Sequence, residues 1–160
     1  MHPNAETIRQ FYTAFQHKNG HEMAGYYHRD IHFSDEVFTN LRGPAAGAMW
    51  RMLLERATDL RVEFSDVEAD DRSGHAHWEA WYTFTKTGRP VHNVIDAKFE
   101  FRNGKIVRHR DAFSFWRWSR QALGPVGLML GWSPLVKKRA RREAAKNLER
   151  FVQRTQALTT

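Results

Sequence analysis

The chain contains no cysteine in its 160 residues, which excludes a disulfide framework and any thiolate metal site. No stretch approaches the roughly 20 consecutive apolar residues that a membrane span requires. The glycine-rich phosphate loop, the G-x-S-x-G nucleophile elbow and the H-E-x-x-H zinc helix are all missing. The N-terminal stretch MHPNAETIRQFYTAF has no charged segment followed by an apolar run, so no secretory signal is expected. Internal repeats and low-complexity segments are also lacking. A soluble, cytoplasmic protein is the expectation these absences leave.

What is present fits one globular domain, with 41% apolar and 27% charged residues. The net charge of +7 is unevenly placed. From Leu135 onward, eight lysines and arginines stand against Glu143 and Glu149, so +6 of it lies in the tail. The isoelectric point near 10.0 is therefore a property of the tail and not of the body.

Asn4 can cap a first helix in which Ile8, Phe11, Tyr12 and Phe15 follow the i, i+3, i+4, i+7 spacing. Lys18-Asn19-Gly20 ends it, and a short helix carries Met23, Tyr26 and Tyr27. Ile31 to Phe38 reads as extended, with Asp35 near its end. Gly43-Pro44 opens a third helix whose buried stripe is Met49, Trp50, Leu53 and Ala57. Leu60, Val62 and Phe64 alternate as a strand, and another runs roughly from His75 to Lys86. The chain then enters VHNVIDAKFEFRNGKIVRHRDAFSF, two long strands joined at Asn103-Gly104, the dipeptide best able to supply the positive φ angles of a tight hairpin. Alternation puts Val94, Asp96 and Lys98 on one face of the first arm, and Val107, His109, Asp111 and Phe113 on one face of the second. Asp96 is expected to face the interior, where an acid must be paired, neutral or used. Helices first and antiparallel strands after give an α+β class, with helices packed on one face of a curved, cone-shaped sheet.

This order, with the Gly-Pro helix opening and the FEFRNGKIVRHRD hairpin, resembles the nuclear-transport-factor-2-like superfamily over about residues 5–115. That superfamily includes SnoaL-like proteins, limonene epoxide hydrolase and ketosteroid isomerase. The resemblance implies a homodimer, no cofactor, and a cone that holds a small, largely apolar organic molecule with a carbonyl or comparable polar group.

The nearest local similarity is to ketosteroid isomerase, in Val94-Ile95-Asp96 through Gly104-Lys105-Ile106-Val107. It implies that Asp96 stays neutral and donates to a developing oxyanion, while Asp35 is the general base. The oxyanion tyrosine of that family falls on Phe11, which has no donor. Tyr12 lies about 100° round the helix, which leaves Tyr82, on a face with Ala80 and Phe84, as a possible second donor. Asp111 resembles the acid that serves as base on the last strand of the SnoaL-like branch. The expected catalytic set is Asp35, Asp96 and Asp111. Phe11, Tyr82, Phe84, Val94, Lys98, His109 and Phe113 are the expected lining.

Plainer readings stand beside these. Asp96 can be a structural acid paired with Lys98 or an arginine, Asp35 a turn residue capping a strand end, and His109 with Asp111 part of an ion-paired strand beside Arg108 and Arg110. Phe11 and Tyr12 can be core packing. His75, His77 and His109 have a possible ligand spacing, but no metal is expected.

Residues 1–118 form the family-like domain in this reading, and 119–160 a basic helical extension. Ser133 can cap a last helix at Pro134, with Val136, Ala140, Ala144, Leu148, Phe151 and Thr155 on one side. The tryptophans and leucines ahead of it (Trp116, Trp118, Leu123, Val126, Leu128, Leu130, Trp132) are expected to pack over the cone or across a dimer. A membrane-surface role for the basic tail is an alternative, and nucleic acid is not expected, since no recognition motif accompanies the basic helix. Two functions compete: cofactor-independent proton transfer of isomerase or lyase type, and non-catalytic binding or dimerisation on the same fold.

Overall fold

Asn103 and Gly104 turn the chain with φ of 52° and 74°, the left-handed pair that closes a two-residue hairpin. In the computed structural model, which describes residues 1–158, this hairpin joins the longest strand to the central one. The elements are α1 (Pro3–Gln16), α2 (Gly20–Gly25), β1 (Tyr27–Ser34), β2 (Leu41–Arg42), α3 (Pro44–Arg56), β3 (Arg61–Ala69), β4 (Ser73–Phe84), β5 (Arg89–Arg102), β6 (Lys105–Ala112), α4 (Phe115–Leu123), α5 (Pro125–Leu130) and α6 (Pro134–Ala157). The strands form one six-stranded sheet in the order β2-β1-β6-β5-β4-β3. All neighbouring pairs are antiparallel except β1 and β6. The sheet is curved and unclosed, α1 and α3 lie in its concavity, and the whole is an α+β cone with a helical extension.

The hairpin is not regular. Arg102 pairs with Lys105 and Phe101 with Ile106, but Glu100 pairs with Arg108, so Val107 is an extra residue on β6. A one-residue bulge reverses the face of everything beyond it relative to the partner strand. Asp96 accordingly pairs with Ala112, and Ala97 with Asp111. Directly paired residues share a face, so Asp96 and Asp111 lie on opposite sides of the sheet.

Aromatic rings fill the core between the sheet and the helices. Phe11, Tyr12, Phe33, Trp50 and His109 are fully buried, with Phe15, Trp78 and Phe99 close behind. Their ring centroids lie 4.4 to 6.3 Å apart, within or near the range of favourable aromatic contact. Each such side chain contributes about 1.5–3 kcal/mol through burial. Small residues on the inner face of the strands, Ala76, Ala80 and Ala97, leave room for them.

Several expectations shift locally. His2 caps α1 by accepting from the Asn4 backbone N–H, while Asn4 sits inside the helix and donates from Nδ2 to the Asp70 carbonyl at 2.9 Å. β1 starts at Tyr27, and Asp35 falls just past its end. In α3 the buried face is broader than expected and includes Ala46, Ala48 and Met52, while Leu53 is half-buried and Ala57 is the C-cap.

The C-terminal extension folds back on the body. Ser133 caps α6 by accepting from the Leu135 N–H. Leu148 and Phe151 are buried in the core cluster, with Ala144 and Val152 packed against it. Three ion pairs tie α6 down: Lys137 to Glu36 at 2.7 Å, Glu143 to Lys86 at 2.6 Å, and Arg154 to Glu55 at 2.6 Å. Such part-exposed pairs contribute about 0–1 kcal/mol each, so the apolar contacts hold the helix and the pairs fix its register. Among the described residues, no helix is long and apolar enough to cross a membrane.

Candidate active site

β6 delivers two polar side chains into the apolar interior, His109 and Asp111, which are 0% and 2% exposed. They carry a directional hydrogen-bond chain. Trp50 Nε1 donates to the Tyr27 hydroxyl at 2.8 Å, and that hydroxyl lies 2.8 Å from His109 Nδ1. His109 Nε2 lies 2.9 Å from Asp111 Oδ1, which also accepts from Trp78 Nε1 at 3.3 Å. Indole N–H groups only donate, and carboxylates only accept. The tyrosine proton is thus directed to Nδ1, and His109 Nε2 carries the proton that faces Asp111. Every polar group in the chain then has a partner, the condition on which buried networks are stable.

Asp35 stands where β1 runs into a turn. Its Oδ1 accepts from the backbone N–H groups of Val37 and Phe38 at 2.7 and 2.6 Å, so it does cap the strand end. It does more than that. Burial raises its carboxyl from an ordinary 3.8 to about 7, against the lowering effect of these two N–H groups, and the Asp111 carboxylate adds to the rise. A carboxyl poised near neutrality beside a second acid is the arrangement proton transfer uses.

Tyr82, on the inner face of β4, is the third group here. Burial pushes its hydroxyl up to about 12, although the hydrogen bond from Trp118 lowers it and the charge of Asp35 raises it. Trp118 Nε1 donates to this hydroxyl at 2.8 Å, and its ring lies edge-on to Phe84 at 5.4 Å. α4 therefore packs over Tyr82 and Phe84. Its N-cap is Ser114, and Phe115 at its start is buried. Tyr12 contributes an unusual feature: its hydroxyl is fully buried and has no hydrogen-bond partner among the described residues. Burial first, and then the charge of Asp111, hold that hydroxyl well above the usual phenol range.

Asp35, Tyr82, His109 and Asp111 thus come together, with Phe84 and Phe113 half-buried at the same end. Phe11 packs edge-on against His109 at 5.6 Å and is core. Asp96, Lys98 and Val94 do not join them. Asp96 is 79% exposed on the outer face, 2.9 Å from His77 Nδ1, and that hydrogen bond raises the histidine's pKa. Ile95, Ala97 and Phe99 point inward in their place, in unbroken alternation with Phe101, and the Val107 bulge turns His109 and Asp111 to that same face. His75 and His77 also lie on the outer face, separated by the sheet from His109. Among the described residues, no three His, Asp or Glu side chains converge on a metal-sized space.

Sequence reading missed Tyr27, Trp50 and Trp78 as polar partners, and did not name the Tyr82 hydroxyl as the partner of Trp118. Their apolar periodicity is that of core residues. A buried tyrosine or indole needs a hydrogen-bond partner, but nothing in the spacing names it. A groove of about 760 Å³ lies away from this cluster, on the sheet margin beside Lys98, Glu100, Arg108 and Arg110.

No curated protein sequence is significantly similar to this one. Solved structures are. A candidate polyketide cyclase from Xanthomonas campestris superposes with a TM-score of 0.63 at 19% identity, over 74% of this chain and 96% of that one. An LEH-like epoxide hydrolase of M. tuberculosis gives 0.61 at 18% identity, over 84% and 95%. A candidate hydroxylase from Streptomyces galilaeus gives 0.61 at 17%, over 82% and 97%. At such identities the likeness is one of fold. The family described as SnoaL-like domain matches residues 8–109, and the chain belongs to that family, within the nuclear-transport-factor-2-like superfamily.

Proposed function

We propose that this protein binds a small, mostly apolar organic molecule in the cone beside Asp35, Tyr82 and Asp111 and transfers a proton on it without a cofactor, in an isomerase, lyase or cyclase type of step. The observation that carries the reading is Asp35, a carboxyl raised to about 7 next to Asp111 and Tyr82. Asp35 takes the proton from carbon beside a carbonyl and returns it to another position. Tyr82, whose hydroxyl remains protonated at neutral pH, donates to the oxygen as negative charge develops there. The His109–Asp111 pair holds the second acid in place. The candidate polyketide cyclase and the epoxide hydrolase among the structural relatives are compatible with small organic substrates in such a cone.

Trp118 favours a second reading, binding without turnover. Its indole occupies the Tyr82 hydroxyl, so α4 must shift before Tyr82 can donate to a ligand. A homodimer, as usual for the superfamily, is compatible with either reading.

The test is conjugated-enone absorbance from a β,γ-unsaturated cyclic ketone, with wild type beside Asp35→Asn, Asp111→Asn and Asp96→Ala. Turnover lost in Asp35→Asn and unchanged in Asp96→Ala supports proton transfer. Saturable ligand binding without turnover supports the second reading. Turnover indifferent to Asp35 and Asp111 overturns the site.

A further inference from the structure

Between Asp111 and Glu143 there is no aspartate or glutamate, against seven lysines and arginines. The same stretch holds the largest run of exposed apolar side chains. Met129 is 70% exposed, Trp132 72% and Leu135 76%, with Val126, Leu128 and Leu130 at 49 to 57%. Their orientation is built in. α5 packs on α4 through glycines: a Cβ at Gly127 would overlap the Ser119 carbonyl, and one at Gly131 would overlap the Ser119 hydroxyl. The glycine side of α5 is thus fixed inward, and its valine, leucines and methionine are turned out. A soluble amphipathic helix does the reverse.

We infer that this face docks on an anionic lipid surface. Leu128, Met129 and Trp132 would enter the interface, and the cations around them would meet the headgroups. Trp132 suits the role, since its N–H is already satisfied by the Met129 carbonyl at 2.8 Å while the ring stays exposed. Arg117, Arg120, Lys138, Arg139 and Arg142 are exposed on the flanking helices. Apolar insertion and polybasic attraction are each weak alone, and together they hold a protein at a membrane surface. Charge also argues against a second copy. A two-fold contact through this patch would set the arginines and lysines of one chain against those of the other, whereas an anionic bilayer neutralises them.

The experiment is co-sedimentation of the full chain with vesicles of phosphatidylcholine containing about one third phosphatidylserine, compared with phosphatidylcholine alone. The variants are Leu128→Ser with Met129→Ser, and Lys138→Glu with Arg142→Glu, all at exposed positions. Wild type is expected to sediment with the anionic vesicles, less so as salt rises, and each double variant to bind about tenfold or more weakly. Wild type that stays in the supernatant, or binding that either double variant leaves intact, overturns the inference. A dimer split by Leu128→Ser with Met129→Ser, with no vesicle binding by wild type, would overturn it in favour of a second copy.

Discussion

His109 Nε2 donates to Asp111 Oδ1 at 2.9 Å, two residues apart on one face of β6 and both shielded from water. Because Asp111 Oδ1 also accepts from Trp78, its removal strands two buried donors. Asp111→Ala is expected to cost about 2–5 kcal/mol, read as a lower midpoint in urea. Asp111→Asn keeps an acceptor oxygen and should cost much less, while losing the carboxylate.

Asp35 makes stability depend on pH with a defined sign. Its folded-state pKa, about 7, lies above the ordinary 3.8, so between these values the folded chain holds a proton the unfolded chain has released. Stability from this group is full below about pH 3.8, declines as pH rises, and is gone above about 7. Asp35→Asn can keep the oxygen that accepts from Val37 and Phe38 but cannot ionise. Its unfolding free energy should exceed that of wild type above pH 7, with the gap closing toward pH 4, as denaturant titrations at both pH values would show.

Tyr12 carries a buried hydroxyl without a partner. Tyr12→Phe removes a polar group that costs about 1–3 kcal/mol to bury unpaired, so a higher melting temperature is expected. Were the hydroxyl a donor to ligand, the same variant would bind ligand less well despite being more stable, which calorimetry can read.

Trp118 covers Tyr82 and Phe84. Trp118→Ala should lower stability by about 2–4 kcal/mol through lost packing and increase binding of an apolar fluorescent dye. Dye binding unchanged from wild type would mean that the ring does not guard access.

Much of this was readable from the residues. The helix–strand order, the Asn103-Gly104 turn, the Pro44 helix start and the Ser133 cap are local signals, and each is where the spacing puts it. The site was legible in part. Asp35, Tyr82, His109 and Asp111 lie close together, and Asp96 does not join them. In a regular hairpin turning at 103–104, Asp96 would face Asp111. The extra Val107 shifts the pairing by one and turns His109 and Asp111 inward, while β5 keeps an unbroken alternation that leaves Asp96 outside. That alternation was readable, with Ala97, Phe99 and Phe101 apolar and Lys98, Glu100 and Arg102 charged, but the adjacent apolar residues Ile106 and Val107 hid the phase change on β6. Asp96→Ala should therefore change stability by no more than about 0.5 kcal/mol. The chain from Trp50 through Tyr27, His109 and Asp111 to Trp78 was hidden for a different reason: it joins four elements far apart in sequence, and only the folded register brings them together.

The account turns on one proton. A carbon-detected NMR titration of the Asp35 side-chain carboxyl, assigned by comparison with Asp35→Asn, measures it directly. A midpoint near 7 is the predicted result. A midpoint near the ordinary 3.8 would mean that Asp35 is a solvated turn residue and that the proton-transfer reading is wrong.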